Sequence, residues 1–367
     1  MAAVQYICAK VGMVSGMGLA GVLRRYYSRK LLYGAVCGLM IANTINAGAD
    51  IGAIAAAINM LVPIPISVLI VPIAVSIVVL QIWGSYRLIE KTFKWLTLAL
   101  LAYIVSPFLA RPAWEQVLKG TFLPILSFDS KFLATLVAIL GTTISPYLFF
   151  WQADQEVEEE ISMGRKQLWQ RKGASAKELK YAALDVNTGI AFANLVFYSI
   201  ILATATTLHA TGRTDIQSAT DAAEALRPLA GNGASILLAI GLIGSGFLAV
   251  PVLTGSSAYA LSEAFGWKFG LNKKLRHAKQ FYAIIVVSTL IGLLIDYTGI
   301  NPIKALFWTA VINGLLAPPL LVIIMLISNN ERVMGIRKNG LLTNILGWLT
   351  SAIMFAAAIG LVLTWNS

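Results

Sequence analysis

The sequence predicts an all-α polytopic membrane protein of about ten spans, and three observations predict it. Of 367 residues, 58% are hydrophobic and only 12% charged, against roughly 25% charged in an ordinary soluble domain. The mean hydropathy is +0.76, and the apolar residues come in blocks long enough for a hydrocarbon core, which takes about 20 helical residues. Short loops separate the blocks, and every second loop is basic.

Breaking the apolar blocks at charge and turn clusters places spans at 2 to 23, 31 to 61, 66 to 86, 92 to 110 and 132 to 152, then at 183 to 209, 233 to 264, 280 to 297, 303 to 328 and 341 to 365. The basic loops lie near 24–30, 87–94, 155–182, 265–280 and 329–340. They hold 21 of the 28 Lys and Arg residues, so the positive-inside rule puts them in the cytoplasm and both ends of the chain outside. No soluble domain interrupts the pattern, and residues 1–367 read as one integral membrane unit of the cell membrane. An outside Met1 without a signal peptide is awkward. The first span is also weak, with Gln5, Lys10 and four glycines. Together these lead us to expect one further helix upstream, running from the cytoplasm outward.

The net charge of +11 does not indicate nucleic acid, because the basic residues sit in loops between spans rather than along one amphipathic face. Cys8 and Cys37 lie in apolar segments with no partner at redox or metal-ligand spacing. No hydrolase, Walker or nucleophile-elbow pattern occurs, so neither an enzyme nor a cofactor is expected. The acidic run Asp154, Glu156, Glu158, Glu159 and Glu160 suggests a cation vestibule. It stands beside Arg165 and Lys166, however, and a solvated, locally paired cluster is the preferred reading.

Chemistry concentrates in two spans. In the fifth, Leu140-Gly141-Thr142-Thr143-Ile144-Ser145-Pro146-Tyr147 places glycine, hydroxyl residues and proline near the middle of the bilayer. Pro146 has no amide hydrogen and clashes with the preceding turn, so the carbonyls of Gly141 and Thr142 stand to lose their helical partners. Free carbonyls at membrane depth persist only inside protein or beside a watery cavity, and unwound helices of this kind coordinate cations in secondary transporters. A plain proline kink is the alternative. In the second span Asn43, Asn46 and Asp50 recur at helical spacing. An intramembrane carboxylate is costly, so Asp50 is assigned a functional role in preference to a structural one. Asn313, shortly before Pro318 and Pro319 in the ninth span, is a weaker signal that interhelical packing explains equally well.

At these segments the chain resembles the Nramp family of divalent metal transporters. Residues 5 to 20 look like the family's second helix, 41 to 61 like its third and 139 to 152 like its sixth, and the likeness extends over the whole chain as helices two to eleven of an eleven-helix, LeuT-type inverted-repeat fold. The resemblance implies that the transported substrate is a divalent metal cation. It also implies ligands on the first helix that this sequence does not contain, a carbonyl that would belong to Thr142, and a methionine position that is Ser145 here. The neighbouring family histidine becomes Tyr147, and the acid that follows the matched Asp50 becomes Ala53. Replacing a soft thioether by hydroxyl and carbonyl oxygens favours a hard cation such as magnesium over manganese or iron. In this respect the chain is similar to the Nramp-related magnesium transporters. The resemblance thus assigns Thr142, Ser145 and Asp50 to the metal, with Asn46, Pro146, Tyr147 and Asn313 in support. An amino-acid transporter of the same fold and a non-transporting membrane scaffold are the rival readings.

Overall fold

A computed structural model of the chain describes all residues except 85–94, 96–97, 110–111, 124–126, 213–214 and 366–367. The long helices are α1 (Ala2–Ser15), α2 (Leu19–Tyr26), α3 (Arg29–Leu61), α4 (Ile66–Trp83), α5 (Ala102–Leu109), α6 (Trp114–Phe122) and α7 (Ser130–Thr143). They continue with α8 (Pro146–Ser162), α9 (Ala176–Thr207), α10 (Ala234–Phe265), α11 (Lys279–Asp296), α12 (Pro302–Asn329) and α13 (Leu341–Leu363). Among the described residues eight helical segments are long and apolar enough to cross a membrane, taking α7 and α8 together, or nine if the bent pair α1 and α2 is one span. The expected fourth span falls partly outside the described residues. Its described part is a 3-10 turn, Leu98–Leu101, followed by α5. The basic loop near 87–94 lies outside them.

Start signals agree with the chemistry of each terminus. Ser28 accepts a hydrogen bond from the amide of Leu31 at the start of α3, and Asp129 accepts one from Phe132 (2.9 Å) at the start of α7. Ser175 and Glu178 form a reciprocal capping box on α9, and Asn301 caps α12 ahead of Pro302 at the first helical position. Helices α4 and α12 run without a polar face. Large apolar side chains on α4, α9 and α13, such as Val68, Leu195 and Leu349, point away from the bundle, as lipid-facing surfaces do.

The centre of the bundle is α3, α10 and α12, with α11 against α3 and α7 against α12. With no hydrophobic drive between helices inside lipid, close backbone approach sets these crossings. An added Cβ at Gly48 of α3 would sit 2.6 Å from the carbonyl oxygen of Gly292 on α11. One at Gly141 of α7 would collide with the carbonyl of Ala310 and the amide of Gly314 on α12. These contacts fix two candidate segments directly, since Gly48 precedes Asp50 by two residues and Gly141 immediately precedes Thr142.

Three boundaries differ from the sequence reading. The first span, read as continuous over 2 to 23, is two helices bent by 61°. Gly16 ends α1 in the left-handed region (φ +66°), and α2 restarts after Gly18. Lys10, which made this span look poor, is buried but donates to the Lys338 carbonyl oxygen (3.2 Å) and to Asn339 Oδ1 (2.9 Å), so its charge is met by the loop after α12. The fifth span does not stop at 152: α8 stays helical to Ser162. The sixth starts at Ala176, seven residues before the predicted 183. The loop predicted over 155–182 is therefore helical at both ends.

Candidate functional site

The break between α7 and α8 is real and short. Thr143 closes one helix, Pro146 opens the next, and Ile144 and Ser145 between them have non-helical backbone (φ −118°, ψ 62° and φ −82°, ψ 132°). The arrangement is a full interruption rather than a kink. Proline at the first position of α8 costs nothing there, because that amide has no helical acceptor in any case.

Ser145 is buried, and its hydroxyl donates to the carbonyl oxygen of Gly141 (2.7 Å) and also lies 3.2 Å from that of Thr142. The two carbonyls freed by the proline are thus met by a side chain four and three residues on. A hydroxyl that donates its one hydrogen keeps oxygen lone pairs for a ligand. The carbonyl of Tyr147 accepts from Ser256 Oγ on α10 (3.0 Å), which fixes the first turn of α8 against that helix.

Tyr147 packs against the cluster that contains Ala47 and Ile51 of α3, and its phenol lies within electrostatic reach of Asp50. Ser145 and Tyr147, with Thr142 and Pro146 adjacent in the chain, thus lie in the same region of the bundle as Asp50. Asn46 is half-buried on α3, one turn before Asp50. Asn43, on the same face, holds the bundle together: its amide donates to the Leu253 carbonyl and to Ser257 Oγ, both at 3.1 Å, pinning α3 to α10. Asn313 is buried on α12, with an Oδ1 that finds no partner among the described residues. Its neighbour Gly314 makes the crossing with Gly141.

Sequence reasoning missed several groups. Asp296, at the end of α11, interacts electrostatically with Asp50. It lines a cavity of about 390 Å³ together with Gly52, Ser67, Tyr297 and Asn301. The acidic run is not one solvated cluster. Asp154, Glu158 and Glu160 are buried, whereas Glu156, Glu159 and Glu160 line a cavity of about 500 Å³ with Glu178, Asp185 and Arg165. Arg165 spans that cavity's edge, 2.7 Å from Glu178 Oε1 and 3.5 Å from Glu160 Oε1. Its guanidinium is held more firmly protonated by the hydrogen bond to Glu178. Glu263 went unnoticed at the end of an apolar run, although a lone acid there is itself a signal.

The family model described as "Natural resistance-associated macrophage protein-like" matches residues 1–364. The chain belongs to the Nramp family. Among curated relatives, the divalent metal cation transporter MntH of Brucella suis is 23% identical over 371 residues, covering 98% of this chain and 77% of the relative. That of Deinococcus radiodurans is 25% identical over 358 residues, covering 96% and 77%. The match to MntH of Caldanaerobacter subterraneus, 27% identical, covers 69% of this chain and 55% of that relative, so the chain matches little more than half of that relative's length. Among solved structures, this Nramp chain is similar in fold to the manganese transporter of Eremococcus coleocola, with a TM-score of 0.75 at 19% identity over 97% of this chain and 76% of that one. The transporter fold class expected from the sequence is thereby borne out.

Proposed function

We propose that this Nramp chain carries divalent metal cations across the membrane by alternating access, with Ser145, the Thr142 carbonyl and Asp50 contributing to the substrate site. The observation that carries the reading is the two-residue interruption at Ile144–Ser145, which leaves carbonyl and hydroxyl oxygens free of the regular helical ladder inside a membrane span. Family membership and relatives named as divalent metal cation transporters support the cargo.

The donor set favours a hard cation. Hydroxyl, carbonyl and water oxygens suit magnesium, which keeps part of its hydration shell, while manganese and iron gain more from a softer sulfur ligand. Asp50, within electrostatic reach of Tyr147 at the break and of Asp296 on α11, is the acidic group along the route. With the basic loops in the cytoplasm and the Asp296 cavity outside, inward movement is driven by the membrane potential, about 2.3 kcal/mol per charge per 100 mV and twice that for a divalent ion.

Calorimetric titration of the purified full-length protein with Mg²⁺ and Mn²⁺ tests the site. Ser145→Met is expected to shift preference toward Mn²⁺, and Asp50→Ala to weaken both. Binding indifferent to both changes would remove these residues from the site. An absence of any divalent binding by a folded protein would favour the scaffold reading.

A further inference from the structure

The bend between α1 and α2 holds a second set of buried charges, separate from the α7–α8 break. Glu263, near the end of α10, accepts hydrogen bonds from the backbone amides of Gly18 (2.9 Å, Oε1) and Gly21 (2.8 Å, Oε2). Its carboxylate thus sits on the exposed amides at the start of α2, where a negative charge is favoured. Asp154 of α8 faces the same place. It is 1% exposed, and no N–H or O–H group of the described residues reaches either of its carboxyl oxygens.

The two carboxyl groups are close. A Cβ built on Gly18 would collide with Asp154 Oδ1 and lie 2.5 Å from Glu263 Oε2. The oxygens are therefore within about 5 Å of each other, a range at which two like charges cannot both persist without compensation. The other charged and titratable groups around the pair are few. Glu158 of α8 bears on Asp154 and adds negative charge, although its own carboxylate is partnered by Asn272 (3.4 Å). Tyr259 of α10 lies within electrostatic reach of Asp154 and Glu158. Arg171 bears on Glu263 but spends its hydrogen bonds on the carbonyls of Gly16, Arg165 and Lys166. Arg24 of α2 donates to the Glu263 carbonyl oxygen rather than to its carboxylate (3.3 Å).

No cationic side chain among the described residues pairs with the Asp154 carboxyl group, and no three acidic, histidine or cysteine side chains among them converge as a metal site would require. A proton needs only the two oxygens that are there. We propose that Asp154 and Glu263 form a proton-binding site holding one proton and one negative charge between them at neutral pH, with the proton on Asp154 and the charge kept by Glu263 at the start of α2. The site joins α8, α10 and the bent pair α1–α2 at the end of the bundle that carries the basic loops. Loss of its proton places two negative charges against Gly18 and loosens α2 from α8. The proton site stands whichever ion the protein transports.

The test is infrared spectroscopy of the full-length protein in lipid nanodiscs at neutral pH, comparing wild type with Asp154→Asn. The carbonyl stretch of a protonated carboxyl group should be present in wild type and lose one component in D154N. Because asparagine mimics the protonated acid, D154N should melt with wild type below about pH 4, where the unfolded carboxyl is protonated too, and increasingly above it as pH rises to 8. Should D154N fail to yield a single folded species, Glu263→Gln gives a second reading: losing the charged neighbour should shift the Asp154 band in frequency. An unchanged carboxyl band in D154N, or an unshifted one in E263Q, would overturn the assignment. So would a wild-type deficit at pH 8 that added Na⁺ or Mg²⁺ abolishes at constant ionic strength, since a metal ion would then be the neutralising group.

Discussion

Replacing Gly141 by alanine sets one methyl group against the backbone of α12. The new Cβ would overlap the carbonyl oxygen of Ala310 and the amide nitrogen of Gly314, and would lie 2.7 Å from the Gly314 Cα. None of these atoms can rotate aside, so α7 and α12 must separate. Overpacking a tight interface costs typically 1–3 kcal/mol, and a backbone obstacle places this change near 3 kcal/mol. For a chain of this length that corresponds to a fall of roughly 4 °C in melting temperature if the per-residue unfolding entropy of globular proteins applies. Fluorescence-detected melting of the detergent-purified protein measures it, with Gly120→Ala as control because a Cβ there meets nothing within 4 Å. The change should also weaken divalent-ion binding, since it displaces Thr142. A G141A variant that melts with the control and binds normally would refute the claim that this crossing positions the break.

Other perturbations read single contacts. Ser145→Ala leaves the Gly141 carbonyl without its 2.7 Å donor and should cost about 1–3 kcal/mol, seen as a lower melting temperature, whereas Ser145→Thr keeps the hydroxyl and most of the stability. Asn43→Ala removes two buried bonds to α10 and should destabilise by about 1–3 kcal/mol, while leaving the relative affinities for Mg²⁺ and Mn²⁺ in calorimetry unchanged. Gly16→Ala forces a side chain into a left-handed conformation against the Arg171 Cβ, 2.9 Å away, and should cost about 1–2 kcal/mol, with proteolysis appearing first at the α1–α2 bend.

The membrane class, most of the spans and the break at Pro146 were legible because their causes are local. Hydropathy, loop charge and a missing amide hydrogen are properties of a few neighbouring residues. The α1–α2 bend was not, because the group that caps α2 is Glu263, 245 residues away from Gly18. The acidic run misled for the same reason. Spacing alone showed five acids in seven residues beside two cations, while the α8 helix sends Asp154 and Glu158 inward and turns Glu156 and Glu159 to a cavity. Asp50 was legible as a costly acid, but its acidic neighbour Asp296 comes from α11 and had no local signature. The Ser145 hydroxyl entered as a candidate ligand by resemblance. Its bond to Gly141, which stabilises the break itself, follows only from the backbone geometry between α7 and α8.

Uptake of Mg²⁺ and Mn²⁺ into proteoliposomes holding the full-length protein, under an inside-negative potential, tests the central claim most directly. The account predicts protein-dependent uptake that favours Mg²⁺, falls with Asp50→Ala and shifts toward Mn²⁺ with Ser145→Met. Vesicles that hold folded protein yet admit neither ion faster than protein-free vesicles would contradict it.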